Sequence, residues 1–184
     1  MLIVFSGLPG TGKTTIAREL AGRIAAVYLR IDVIEQTLRD AGVAPGASGY
    51  GVANALALSN LQLGRTVVAD CVNPVQESRA AWQETAATAG VALANIQVVC
   101  SDAREHQRRV ETREGDISGL TPPSWPSVLK HDYEAWSSKP FSIDTSLMSA
   151  TAAVLAITDF LSSTYSFPVA RDSVCLSLDQ NNSA

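Results

Sequence analysis

Residues 2–15 read Leu2-Ile3-Val4-Phe5-Ser6-Gly7-Leu8-Pro9-Gly10-Thr11-Gly12-Lys13-Thr14-Thr15 in a chain of 184 residues. From Gly7 onward they fit the pattern G-x-x-x-x-G-K-[ST], in which backbone N–H groups of a glycine-rich turn bind phosphate oxygens. The apolar run before the turn predicts a buried strand. Residues 14–25 predict a helix, since apolar side chains recur every four residues. Because strand, turn and helix stand in the order that the motif requires, the stretch predicts a loop that binds a nucleoside triphosphate.

The loop pattern also predicts a role for its individual residues. We expect nucleotide contacts from Gly7, Leu8, Pro9, Gly10, Thr11, Gly12, Lys13, Thr14 and Thr15. Lys13 is expected to reach the β- and γ-phosphates and to act in catalysis, and the Thr14 hydroxyl is expected to bind Mg²⁺. The positive end of the helix dipole adds to this attraction for phosphate. The loop therefore predicts ATP and Mg²⁺ as cofactors.

Composition restricts the class of protein. The length suits one α/β domain with a substantial core. A net charge of −4 argues against broad nucleic-acid binding, although a local basic groove is compatible with it. The three cysteines lack metal-binding spacing, which favours a reduced, cytoplasmic protein. Neither a signal peptide nor an apolar stretch of membrane-spanning length is evident, so we expect no membrane partner.

Strand and helix patterns alternate along the chain. After the first strand, further strands are predicted at residues 27–31, 66–70, 91–100 and 141–144, with helices between them. This alternation predicts a three-layer α/β fold of the phosphate-loop NTPase type, a five-stranded parallel sheet with helices on both faces. Residues 1–163 would form the domain, and residues 164–184 a C-terminal extension that is either an edge strand around residues 174–178 or a mobile tail.

Two aspartates follow predicted strands, at the sheet edge where ligands bind in open α/β folds. Asp32 is expected to act as a general base toward a substrate hydroxyl, and its alternative role is the N-cap of the next helix. Asp70 is expected to help to hold Mg²⁺. Its alternative is a cap or turn residue ahead of Asn73-Pro74. Asn73 itself is a candidate substrate contact or helix cap.

A predicted helix at residues 102–114 is rich in arginine and is followed by a segment with glycine and several prolines. Its arginines fall in two lines of residues spaced four apart, namely Arg104 with Arg108 and Arg109 with Arg113. The pattern suits an arginine-bearing lid over the transferring phosphoryl group, with Arg109 and Arg113 nearest the hinge and hence favoured as catalytic. The alternative is a solvated helix face, in which neighbouring glutamates balance the arginines.

Together, the loop at residues 7–14, Asp32, Asp70-Cys71-Val72-Asn73 and Arg109-x-x-x-Arg113 resemble the small phosphate-loop kinases. This group includes polynucleotide 5′-hydroxyl kinase, chloramphenicol phosphotransferase, gluconate kinase and the zeta-toxin-like AAA-type ATP-binding proteins. The resemblance covers residues 1–160. It implies that Asp32 is the base and that lid arginines contact the phosphates. The relatives often carry an arginine three residues after that aspartate, where this chain has Glu35. The difference implies an acceptor without a phosphate group.

These observations predict an enzyme that transfers the γ-phosphoryl group of ATP to a hydroxyl of a small molecule. A polynucleotide 5′-hydroxyl or nucleoside kinase is the nearest alternative, and a regulatory ATPase or nucleotide-binding switch is an alternative of another class. The acceptor is expected under the helices between residues 33 and 63. The shape of the cleft between Asp32 and the arginine helix separates two of these hypotheses. A long basic groove would favour oligonucleotides, and a bounded pocket of mixed charge would favour small molecules.

Overall fold

The structure, a computed structural model, describes residues 1–165 and residue 167. Its described part contains one parallel sheet with the strand order β2-β3-β1-β4-β5. The strands are β1 (Leu2–Ser6), β2 (Val27–Arg30), β3 (Val67–Asp70), β4 (Leu93–Val99) and β5 (Phe141–Asp144). The predicted five-stranded parallel sheet is therefore confirmed.

Helices cover both faces of this sheet, as predicted. They are α1 (Lys13–Arg23), α2 (Ile31–Asp40), α3 (Ser48–Gln62), α4 (Gln76–Thr88), α5 (Ala103–Thr112), α6 (Trp125–Leu129) and α7 (Ala150–Tyr165). On one face, Ile3 and Phe5 pack in a core with α1 and α7. On the other face, Leu2 and Val4 pack with α3 and with Trp82 of α4. Successive side chains of β1 thus serve opposite cores, which explains why the whole strand is apolar.

Register brings the ends of three strands together. Phe5 of β1 pairs with Asp70 of β3, and Asp70 pairs in turn with Arg30 of β2. The phosphate-binding loop follows β1, and α2 follows β2 directly. Since carboxyl ends of parallel strands share one edge, the loop, Asp70 and the start of α2 lie along the same side of the sheet.

Element boundaries differ from the prediction in ways that bear on the site. Helix α2 begins at Ile31, so Asp32 lies within its first turn, and the residue at the N-cap position is Arg30. The N-cap alternative for Asp32 is therefore wrong. Asp102 caps α5, because its carboxylate accepts hydrogen bonds from the N–H groups of Arg104 and Glu105. Helix α5 ends at Thr112, two residues before the predicted end at residue 114, so Arg113 lies outside the helix.

The last described helix, α7, continues to Tyr165. The edge strand proposed around residues 174–178 lies outside the described residues. Within residues 1–165 and 167, none of the helices combines the length and the apolar character needed to cross a membrane.

Candidate functional site

The phosphate-binding loop adopts a backbone that its glycines make accessible. Gly7, Gly10 and Gly12 have φ values of 144°, 84° and 85°, in a region that other residues rarely adopt. Space is also restricted. A Cβ atom on Gly7 would overlap the carbonyl oxygen of Val98 in β4, and one on Gly10 would overlap the side chain of Val110 in α5. The glycines therefore allow the loop to lie directly against β4 and α5.

Side chains from distant segments hold this loop in place. The Thr145 hydroxyl, just after β5, donates to the carbonyl oxygen of Thr11 at 2.8 Å. His106 Nε2 lies 2.8 Å from the carbonyl oxygen of Pro9, and since a carbonyl only accepts, Nε2 carries the proton. Sequence analysis did not single out His106. The structure shows that it supports the loop from α5.

A buried charge pair lies beside the loop. Lys13 Nζ is 3.6 Å from Asp70 Oδ1, and both side chains are buried. The other carboxylate oxygen of Asp70 accepts a 2.7 Å hydrogen bond from the Tyr28 hydroxyl. Burial and the nearby charge of Asp70 raise the pKa of Tyr28 above its ordinary value, so the phenol keeps its proton.

The donor set at this place fits Mg²⁺. Asp70 Oδ1 is buried and has no hydrogen-bond partner among the described residues. Thr14 lies in the first turn of α1 and lines the cleft next to the loop. Mg²⁺ keeps several waters and is bound by one or two protein oxygens together with phosphates. One carboxylate and one hydroxyl are therefore a sufficient protein contribution.

Asp32 has an arginine beside it that sequence analysis did not single out. Arg30 Nη2 is 3.7 Å from Asp32 Oδ2, and Arg30 Nε is 3.9 Å from Asp70 Oδ2. The Arg30 side chain is only 4% exposed, whereas that of Asp32 is 34% exposed. Glu35 gives no positive charge at its position, but Arg30, the residue before α2, does stand beside Asp32.

The arginines of α5 have different surroundings. Arg109 donates to Thr145 Oγ1 at 2.8 Å and to Glu105 Oε1 at 2.7 Å, so it ties α5 to the loop after β5. Arg108 is largely exposed and also binds Glu105. Hydrogen bonds from these two arginines lower the pKa of Glu105 to about 2. The alternative of a glutamate-balanced surface thus describes Arg108 well.

Arg113 lies just beyond α5 and is 3.6 Å from Asp116 Oδ1. It lines a cavity of about 620 Å³ that α1, the phosphate-binding loop and the end of α5 enclose. The cavity has both signs of charge and is not a uniformly basic groove. Its charged lining residues are Lys13, Arg18, Glu19, Arg30, Arg108, Arg109, Arg113, Glu114 and Asp116.

A second cavity, of about 550 Å³, lies between α3 and α4. Tyr50, Asn54 and Thr85 are among its lining residues. The Tyr50 hydroxyl accepts a hydrogen bond from the backbone N–H of Asn73, and the Asn73 side chain donates to Ser6 Oγ at 3.0 Å. Asn73 is fully buried, and the N-cap position of α4 belongs to Val75. Its side chain therefore braces the end of β1 and does not cap α4.

A family model described as AAA domain (AAA_33) matches residues 2–120. Comparison with curated proteins gives no match.

Three solved structures illustrate the similarity of the fold. A candidate kinase of Chloroflexus aurantiacus j-10-fl is 21% identical, with a TM-score of 0.69 over 86% of this chain and 96% of that one. The APS kinase CysC of Mycobacterium tuberculosis, in complex with AMPPNP and APS, is 18% identical, with a TM-score of 0.61 over 87% and 96%. A gluconokinase of Sinorhizobium meliloti 1021 is 16% identical, with a TM-score of 0.59 over 89% and 94%. At these identities the comparison establishes a common fold.

Proposed function

Because the chain belongs to the AAA domain family and has the fold of small phosphate-loop kinases, we propose that it is an ATP-dependent phosphotransferase. In this proposal the γ-phosphoryl group moves to a hydroxyl of a small molecule. The observation that carries it is the meeting of Lys13, Asp70, Arg30 and Asp32 along one sheet edge. Asp70 pairs with Lys13 through one carboxylate oxygen and with Arg30 through the other, and Arg30 in turn pairs with the partly exposed Asp32.

The loop forms the donor half of the proposed site. ATP binds across residues 7–15, with its phosphates against the backbone N–H groups and Lys13 on the β- and γ-phosphates. Thr14 and Asp70 would hold Mg²⁺, which when bound neutralises phosphate charge. The Lys13 ammonium group lies 3.6 Å from the buried carboxylate of Asp70, and Lys13 lines the same cavity as the loop.

Asp32 provides the acceptor half. Its carboxylate accepts the proton of the acceptor hydroxyl as that oxygen bonds to the γ-phosphorus, while the bond from phosphorus to the β,γ-bridging oxygen breaks and ADP leaves. The side chain is partly exposed, so a substrate hydroxyl has access to it. Arg30 supports this role, because its guanidinium group faces the Asp32 carboxylate at 3.7 Å.

Arg109 and Arg113 are the proposed arginines for the charge that develops on the phosphoryl group. Both line the same cavity as Lys13 and Thr14. Arg109 donates a hydrogen bond to Thr145, and Thr145 donates one to the carbonyl oxygen of Thr11 in the loop. The position of Arg109 is therefore fixed relative to the phosphate-binding loop. Such fixed cations stabilise a transition state without reorganisation during the reaction.

The charge of the cavity favours a small molecule over an oligonucleotide, since carboxylates line it together with the arginines. The related folds support the reaction class. Those structures include an APS kinase complex with AMPPNP and APS and a gluconokinase. The proposal treats residues 1–163 as the kinase domain and residues 164–184 as an extension.

Phosphoryl transfer tests the proposal directly. Purified protein, Mg²⁺ and γ-labelled ATP would be screened against sugars, nucleosides, antibiotics and 5′-hydroxyl oligonucleotides. We expect label on a small-molecule acceptor, its loss in Lys13→Ala and its retention in Lys139→Ala, a matched change at an exposed lysine before β5. Equal transfer by Lys13→Ala and the parent would contradict the proposal. Label released only as free phosphate would favour the regulatory ATPase.

A further inference from the structure

One carboxylate pairs with several of the arginines that line the cavity beside the phosphate-binding loop. Asp116, in the segment after α5, accepts hydrogen bonds from both Nη atoms of Arg30, at 2.6 Å and 3.0 Å. Arg18 Nη2 donates to the same carboxylate at 3.1 Å, and Arg113 Nη2 is 3.6 Å away. Three arginines from α1, the end of β2 and the end of α5 therefore converge on a single internal anion.

The geometry is that of oxyanion recognition. Two parallel N–H···O bonds from one guanidinium group suit a carboxylate, a phosphate or a sulfate equally. Arg30 is almost fully buried, and its Nε has no hydrogen-bond partner among the described residues. A buried arginine is rigidly placed, and its charge needs a counter-ion. Hydrogen bonds from Arg30 hold the pKa of Asp116 well below its ordinary value, so this counter-ion is a carboxylate at neutral pH.

The cluster adjoins the proposed base. Asp70 stands between Lys13 and Arg30, at 3.6 Å from the Lys13 ammonium and 3.9 Å from Arg30 Nε. Arg30 also faces Asp32, the proposed base. Arg30 lines the same cavity as Lys13 and the phosphate-binding loop, so an anion on Arg30 would lie beside the proposed base and in the cavity that the loop opens into.

Asp116 reaches this place from a segment without regular structure. This segment follows α5 in the chain and packs against α2. There Gly119 lies so close to Gln36 that an added Cβ would be 2.9 Å from Gln36 Nε2. The carboxylate is 43% exposed although Arg30 is buried. An incoming anion could therefore replace Asp116 without disturbing either core of the domain.

We infer that Arg18 and Arg30, the two arginines that hydrogen-bond Asp116, form a subsite for an oxyanion of the acceptor, and that Asp116 occupies this subsite until the acceptor displaces it. The inference rests on the proposed function and adds a substrate class to it: the acceptor carries a hydroxyl and, beside it, a phosphate, sulfate or carboxylate group. It replaces the expectation, drawn from Glu35, of an acceptor without a phosphate.

Sulfate binding tests the subsite apart from catalysis. The protein would be saturated with Mg²⁺ and a non-hydrolysable ATP analogue, which fills the phosphate-binding loop, and titrated with inorganic sulfate by calorimetry. We expect Asp116→Asn to bind sulfate about tenfold more tightly than the parent, since a charge-assisted internal competitor is weakened. Arg18→Gln should bind it several-fold more weakly. Asp159→Asn, at an exposed site on α7, should match the parent.

Different failures have different meanings. Unchanged sulfate affinity in both Asp116→Asn and Arg18→Gln would reveal an adventitious ion only and would overturn the subsite. Sulfate binding that disappears when the analogue is present would assign the cluster to the donor site, and this too would overturn it. Failure of the analogue itself to bind would overturn the proposed function and the inference with it. Arg18→Gln changes a largely exposed side chain, so it tests the cluster without removing buried Arg30.

In an acceptor screen, the inference is supported if hydroxy acids, sugar phosphates or sulfated alcohols accept the phosphoryl group while their uncharged counterparts do not. Comparing phosphate, sulfate and carboxylate members of one series then identifies which oxyanion is preferred. Transfer to uncharged acceptors at equal rates would leave the kinase intact and contradict the subsite.

Discussion

Asp32 stands in the first turn of α2, with Arg30 beside it and about a third of its side chain, 34%, exposed. We expect Asp32→Asn to bind Mg·ATP with nearly the parent affinity, because the loop contacts remain. Phosphoryl transfer should fall by roughly 10²–10⁴-fold, the range for loss of a general base. Calorimetry gives the first quantity, and labelled transfer at saturating ATP gives the second.

A matched change on the same helix distinguishes this role from a structural one. Asp40→Asn, at the far end of α2, keeps an acceptor for its hydrogen bond from Gln36 and should transfer like the parent. If Asp32→Asn also turned over at the parent rate, Asp32 would only favour the start of the helix through its charge.

Gly10 shows how one missing side chain sets the distance between two elements. Gly10→Ala would force a Cβ into Val110 and would strain a backbone with φ of 84°. We expect the free energy of unfolding to fall by at least about 1 kcal/mol. We also expect nucleotide binding to weaken. Denaturant titration and nucleotide calorimetry measure the two effects.

Gly22 in α1 is a suitable control for Gly10. It is helical, and a Cβ there meets nothing within 4 Å. Gly22→Ala should therefore stabilise the protein by about 0.5–1 kcal/mol, as alanine does inside helices. Equal behaviour of the two variants would mean that the loop does not need its close contact with α5.

At the scale of elements, α5 presents arginines with separate tasks. Arg113→Gln should lower turnover by one to several powers of ten if this cation stabilises the transferring group, as arginine fingers do. Arg104→Gln on the same helix should leave turnover unchanged, since Arg104 is exposed and is not part of the cavity lining. Steady-state kinetics of the two variants decide the matter. If Arg113→Gln and Arg104→Gln turned over at the same rate, Arg113 would have no role in phosphoryl transfer.

The elements themselves were largely predictable because their signals are local. Strand β5 begins and ends as expected, and the strand–turn–helix at residues 2–23 follows from apolar patterning and glycine placement. The start of α2 was less predictable. Asp32 has the chemistry of an N-cap, yet the helix begins one residue before it, since burial of Ile31 against the second core decides the backbone there.

The arginine cluster was not predictable from spacing, because its members are far apart in the chain. Asp116 is 86 residues from Arg30 and 98 from Arg18. Only the parallel register, which sets the end of β2 beside β3, brings Arg30 between the two aspartates. One signal was available, namely an arginine that ends an apolar strand two residues before Asp32. An arginine at the carboxyl end of a parallel strand therefore predicts a site residue, as an aspartate there does.

The whole molecule joins its two cores through β1, whose side chains alternate between them. The loop at the end of this strand is contacted by Val98 of β4, by α5 through His106 and by Thr145 after β5. A nucleotide that binds the loop therefore adds contacts to elements from both halves of the described chain. Its binding energy should appear as stability of the entire domain.

Thermal unfolding measures this coupling. At about 100 times its Kd, a ligand specific for the folded state adds about 2.7 kcal/mol, which corresponds to a Tm rise of about 5–10 °C for a domain of this size. We expect such a rise with Mg²⁺ and a non-hydrolysable ATP analogue, in Lys139→Ala as in the parent. Lys13→Ala should show a much smaller rise at the same concentration, because the loop loses the cation that meets the phosphates. An equal rise in Lys13→Ala would show that the nucleotide binds elsewhere.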